Sequence, residues 1–92
     1  MSNIRIEVLL FAQLRELAGV KQKAYELPAG SVFQAVLDRL YQEFGDAFRS
    51  EVETMEGLRI VFPDLECSLE ESRLVRLASD ASIVLLPPIA GG

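Results

Sequence analysis

The two most apolar strand-like stretches of this chain lie near its opposite ends, and that placement narrows what it can fold into. NIRIEVLLF (residues 3–11) begins in strict alternation, with Ile4, Ile6 and Val8 on one side and Arg5 and Glu7 on the other. The alternation then dissolves into Leu9, Leu10 and Phe11. Such a pattern describes a strand half buried at its start and more fully buried beyond. ASIVLL, Ala81 to Leu86, is almost without polar relief. Strands covered on both faces lose their alternation. The first and last strands are therefore expected to be neighbours at the centre of one sheet.

What lies between them has room for one substantial helix. Ala12 to Ala18 (AQLRELA) is rich in helix formers, with Leu14 and Leu17 three apart and Gly19 at the position where helices commonly turn left-handed and stop. Lys21 to Leu27 returns to strand spacing, with Tyr25 and Leu27 on one face, and would pair with the first strand as a loose hairpin across the short helix. Pro28-Ala29-Gly30 is a turn. Ser31 and Gln34 have the spacing of a capping box, and Val32, Phe33, Ala35, Val36, Leu37, Leu40 and Phe44 form an apolar stripe that ends at Gly45. Asp38, Arg39, Gln42 and Glu43 take the opposite face. The stripe reads as core packing rather than as a cofactor box.

The second half is less regular. Asp46 to Glu56 reads as a polar loop with room for a helical turn, anchored by Phe48, Val52 and Met55. Leu58 to Phe62 is a strand closed by Pro63-Asp64. Glu66 to Arg76 shows no clear period, with Leu69, Leu74 and Leu77 as landmarks, and Ser79-Asp80 is a turn. The order is β, short α, β, main α, β, irregular segment, β. It implies an α+β domain over residues 1–86, a mixed sheet with the main helix packed on one face. Residues 87–92 follow as an extended tail.

Composition narrows the function classes. A chain of 92 residues that is 50% apolar suits one domain with a modest core. The net charge is −5 and the nine basic residues are scattered, which argues against nucleic acid as the main partner. There is no histidine, and Cys67 is the only cysteine, so no intrachain disulfide and no zinc ligand set can be assembled. Arg5 and Glu7 interrupt what would be the apolar region of a signal peptide, and no apolar run approaches membrane-spanning length. A soluble, cytoplasmic protein with no membrane partner is expected, and a lone thiol fits a reducing compartment. No nucleophile–base pair or glycine-rich phosphate loop is evident. The carboxylate pairs Glu51/Glu53 and Glu70/Glu71 read as solvated surface, and Glu66 beside Cys67 disfavours its thiolate.

Chemistry then falls to LLPPIAGG, residues 85–92. Pro87 and Pro88 cannot continue a sheet and hold the chain extended. Ile89, Ala90, Gly91 and Gly92 add a reach of roughly 13 Å at full extension. The two glycines have no Cβ, so a partner can approach the backbone closely. The group delivered is the Gly92 α-carboxylate. Leu86 and Phe11 are candidate apolar contacts for a partner; each also reads as a core residue.

This ending resembles the carboxy terminus of the MoaD/ThiS-type ubiquitin-like sulfur carriers, in particular the molybdopterin synthase small-subunit family, whose members end in two prolines, two variable residues and two glycines. LFAQLRELAG (residues 10–19) is similar to that family's first strand and short helix, and Leu77 to Pro88 aligns without a gap to its turn and last strand. Where the family's turn typically reads Asp-Gly-Asp, this chain has Ser79-Asp80-Ala81, so any left-handed residue needed there would be Asp80. After the middle strand, where Asn and Gly are usual, it has Phe62-Pro63-Asp64-Leu65.

The resemblance implies a β-grasp (ubiquitin-like) fold and a carrier role. An adenylating, ubiquitin-activating-like enzyme would use ATP to activate Gly92. A sulfur donor protein would convert it to a thiocarboxylate. The molybdopterin synthase large subunit would receive the tail and pass its sulfur to a cyclic pterin precursor in molybdenum cofactor biosynthesis. This chain would bind no cofactor itself, and the catalytic side chains would belong to the partners. The same activated terminus would equally serve a carrier for thiazole, thiolated tRNA or a sulfur-containing amino acid, or a modifier conjugated to lysines through Gly92.

Overall fold

The computed structural model of the chain describes residues 2–88. Its elements are β1 (Asn3–Leu10), α1 (Ala12–Ala18), β2 (Gln22–Pro28), α2 (Phe33–Phe44), α3 (Asp46–Thr54), β3 (Arg59–Phe62), β4 (Leu65–Ser68), α4 (Leu69–Ser72) and β5 (Ala81–Leu86). The strands form one mixed sheet in the order β2-β1-β5-β3-β4. β1 and β5 are adjacent and parallel, with Ile6 opposite Ala81 and Leu10 opposite Leu85, and the other pairings are antiparallel.

The expected adjacency of the first and last strands is therefore present, but the burial argument for it is corrected. Among the described residues β5 is covered on one face only. Ile83 and Leu85 are buried, whereas Ser82 and Leu86 are exposed and Val84 is half-buried. The covered face joins Ile4, Ile6, Val8 and Leu10 of β1 to Ile60 and Phe62 of β3, and packs against Phe33, Val36, Leu37 and Leu40 of α2. Phe62 meets Phe33 edge-on, with ring centroids 5.2 Å apart.

Three local expectations change. Ser31 and Gln34 form no capping box. The residue preceding α2 is Val32, and the Ser31 hydroxyl donates instead to the Pro28 carbonyl at 2.7 Å. The free N–H groups of the first turn are satisfied by distant backbone. Phe33 N–H donates to the Val75 carbonyl at 2.9 Å and Gln34 N–H to the Arg73 carbonyl at 3.0 Å. A capping box does exist two helices later, on α4. The Ser68 Oγ accepts from Glu71 N–H at 3.2 Å, and the Glu71 carboxylate accepts from Ser68 N–H at 3.0 Å.

The segment read as a loop after Gly45 is helix α3, with Phe48 and Val52 fully turned into the core. Their i,i+4 spacing gives the helix one apolar stripe. The unassigned stretch after Asp64 is the short edge strand β4 followed by the single turn α4. No helix among the described residues is long and apolar enough to cross a membrane.

Candidate functional site

Alternation sends every second strand residue to the uncovered face of the sheet. On β1 these are Arg5, Glu7 and Leu9, on β5 Ser82, Val84 and Leu86, and on β3 Arg59 and Val61. The register sets Leu9 directly beside Val84, and Val84 directly beside Val61. One apolar row thus crosses the three central strands, each member half-buried. Gln22 flanks it beyond Leu9 and Glu66 beyond Val61. Leu86, on the same face two residues past Val84, is 41% exposed and carries the row toward the end of β5.

The same end of the sheet gathers the other sequence-predicted contacts. Because β1 and β5 run parallel with Leu10 opposite Leu85, Phe11 leaves the sheet on the side where Leu86 ends it. Phe11 is half-buried, outside the main core cluster, with the Arg15 guanidinium 5.4 Å above its ring. Ala12, which follows it, has φ of 52°, a left-handed conformation that costs about 1 kcal/mol for a residue with a Cβ. The strain marks a sharp reversal at the end of β1. Pro87 is buried and Pro88 exposed. Ile89, Ala90, Gly91 and Gly92 lie outside the described residues.

Asp80 is not left-handed; among the described non-glycine residues only Ala12 has a positive φ. The Asp80 carboxylate instead accepts from Arg5 N–H at 2.8 Å, tying the turn before β5 to the start of β1.

Three of the four paired carboxylates also have structural duties. Glu71 caps α4, and its hydrogen bonds from Ser68 hold its carboxyl below the usual range. Glu53 accepts from Arg73 and from the Tyr41 hydroxyl, each at 2.6 Å. Burial works to raise the Glu53 carboxyl, but those hydrogen bonds outweigh it and keep it lowered. Arg73 also donates to Gln34 at 2.7 Å and to Glu70, so it clamps α2, α3 and α4 together. The shallow polar cleft between α2 and α3 is lined by this network, and within it Arg73 and Glu53 are already paired with each other.

Cys67 points into the core and is 4% exposed. Burial, reinforced by Glu71 and Glu66 against the opposing pull of Arg59, pushes its thiol up. Iodoacetamide at mildly alkaline pH is therefore expected to label the folded protein at least about tenfold more slowly than the urea-unfolded chain, because the thiolate is the reactive form. Mass spectrometry over a time course reads the ratio, and equal rates would mean that Cys67 is accessible.

Sequence reasoning missed the row formed by Leu9, Val61 and Val84. Its signal was available, since Leu9 and Val84 are the residues that break alternation in the two end strands.

No family model matches the chain. The molybdopterin synthase sulfur carrier subunit of Arabidopsis thaliana is 34% identical to it over 93 residues, spanning 99% of this chain and 86% of that protein. Among solved structures, small archaeal modifier protein 1 of Methanosarcina acetivorans superposes with a TM-score of 0.73 at 23% identity, covering 100% of each chain. The Haloferax volcanii protein of the same name gives 0.68 at 19% identity, covering 96% of this chain and 99% of that one. These likenesses and the mixed five-stranded sheet identify the fold as a ubiquitin-like β-grasp.

Proposed function

The chain belongs to the family of molybdopterin synthase sulfur carrier subunits, and on that premise we propose that it carries sulfur on the carboxylate of Gly92 as the small subunit of a molybdopterin synthase. The 34% identity across nearly the whole chain carries this reading. The geometry supports it through the apolar row that runs out along Leu86 to the two prolines.

The division of labour follows from the chemistry. A free carboxylate is a poor acyl donor, so an adenylating enzyme spends ATP to place a good leaving group on Gly92. A sulfur donor protein displaces AMP and leaves a thiocarboxylate. The large subunit receives that end and directs its sulfur to a cyclic pterin precursor. This chain contributes two things. Residues 1–86 grip the partner through Leu9, Val61, Val84, Leu86 and Phe11. Residues 87–92 deliver the reactive atom, with Pro87 and Pro88 aiming it, Ile89 and Ala90 spacing it, and Gly91 keeping the arm thin. The expected compartment is the cytoplasm, where Cys67 remains a thiol.

Intact mass of the protein recovered from its own cells tests this. The expected species ends at Gly92 and includes a fraction heavier by the difference between sulfur and oxygen, copurifying with a molybdopterin synthase large subunit. Thiocarboxylate without that subunit would point to a carrier for another acceptor. Lysine adducts ending in Gly-Gly, with no sulfur exchange, would point to a protein modifier. A mature chain that does not end at Gly92 and carries no thiocarboxylate would overturn terminal chemistry altogether.

A further inference from the structure

The ladder between β3 and β5 ends at the pair Arg59 and Leu86. Carried two residues further, that antiparallel register sets Leu58 beside Pro87 and Gly57 beside Pro88. Proline has no N–H, so hydrogen bonding cannot extend the ladder there. Packing takes over. Leu58 and Pro87 are both buried. A Cβ on Gly57 would stand 3.3 Å from the Cβ of Pro88 and 3.4 Å from its Cγ. Such spacing requires the ring to give by a few tenths of an ångström.

Other positive-φ glycines differ in this respect. Gly19 (φ 78°) and Gly30 (φ 92°) have no atom within 4 Å of where a Cβ would sit. At those sites backbone conformation alone explains glycine. Gly57 (φ 80°) meets a second demand, because its bare backbone lies under the stem of the C-terminal arm.

We propose that Gly57 is a positioning residue, the seat on which Pro88 rests and which sets the direction in which the arm leaves the sheet. Its consequence for sulfur transfer rests on the function proposed above; the seat itself does not. A stem held on one side by Gly57 leaves the sheet along a restricted path, so less orientational freedom is lost when a partner's pocket takes the end. Any side chain at 57 tilts that path at its root.

The test uses the full chain with its adenylating enzyme and ATP, read by pyrophosphate exchange. Asn tolerates left-handed φ, so Gly57→Asn adds a Cβ with the least backbone strain, and Gly19→Asn is the control at matched φ in open space. Gly57→Asn is expected to lower kcat about fivefold while KM for the carrier stays within about twofold, since the gripping face is intact and only the reacting end is misaimed. Gly19→Asn should leave kcat unchanged. In a Pro88→Gly background, where the ring is gone, Gly57→Asn should cost nothing further.

An unchanged kcat in folded Gly57→Asn, an equal loss in Gly19→Asn, or the same fold loss with and without Pro88 would overturn the proposal. Residual dipolar couplings of the tail amides keep it separable from the functional reading. If the wild-type protein supports no Gly92-dependent exchange, altered couplings in Gly57→Asn but not in Gly19→Asn still uphold the seat. Unaltered couplings in both then refute it.

Discussion

Deletion of Gly92 is expected to slow terminal activation by at least about 10³-fold while leaving partner binding and thermal stability in place. Loss of one residue draws the carboxylate back by about 3.5 Å, and a misplacement of about 1 Å already costs roughly 10²-fold when reacting groups must be aligned. Among the described residues the core cluster runs from Ile4 to Leu85, so the variant leaves every residue of that cluster in place. The complementary variant is Val84→Asp, which sets a charge in the middle of the row between Leu9 and Val61. It is expected to weaken binding to the adenylating enzyme by about 2 kcal/mol, roughly 30-fold in Kd. Its kcat should recover once that enzyme is in saturating excess. Calorimetric titration and pyrophosphate exchange separate the two outcomes. Grip without chemistry marks the loss of Gly92, and chemistry without grip marks Val84→Asp. A shortened chain that is still activated at the wild-type rate would place the reactive group elsewhere.

That contrast bears on what could be read before the structure. The adjacency of β1 and β5 was legible in their shared apolarity, though for a reason that needed correction. Burial on two faces and burial on one face with an apolar second face leave the same loss of alternation, and only the assembled sheet shows that no layer among the described residues covers Leu9, Val84 and Leu86. At Ser31 the local signal was real chemistry with the wrong partner. A side chain there could cap α2, but the carbonyls of Val75 and Arg73 arrive from across the fold and leave it free for Pro28. The strand β4 is four residues long and half polar, too short for alternation to stand out. Gly57 was invisible for a deeper reason. Its demand for a missing Cβ comes from Pro88, and a contact so distant in sequence has no local pattern. The expectation of an extended arm rests on covalent features, and residues 89–92 lie outside the described ones. Proline and glycine act through the backbone they impose, whatever packs around them.

The element least visible in the sequence should prove among the costliest to disturb. Phe48→Ala is expected to lower stability by about 4 kcal/mol, the loss typical of emptying a buried aromatic site. Phe48 is completely buried in α3, with its ring centroid 5.3 Å from that of Phe44 and 6.4 Å from that of Tyr41. Both neighbours lie in the last turns of α2, so the truncation would loosen the joint between the two helices rather than leave a void in a rigid wall. For a domain of this size, loss of about 4 kcal/mol is a large share of a total near 5–15 kcal/mol and corresponds to a thermal midpoint lower by roughly 15–30 °C. Phe48→Leu, which keeps most of the volume, should cost about 1 kcal/mol. Urea and thermal unfolding of the two variants give both values. The outcome reaches beyond α3, because that helix leads through Met55 directly into the turn at Gly57 and so anchors the seat of the arm. A loss below about 0.5 kcal/mol, the size usual at exposed positions, would place Phe48 outside the core and leave that seat without its support.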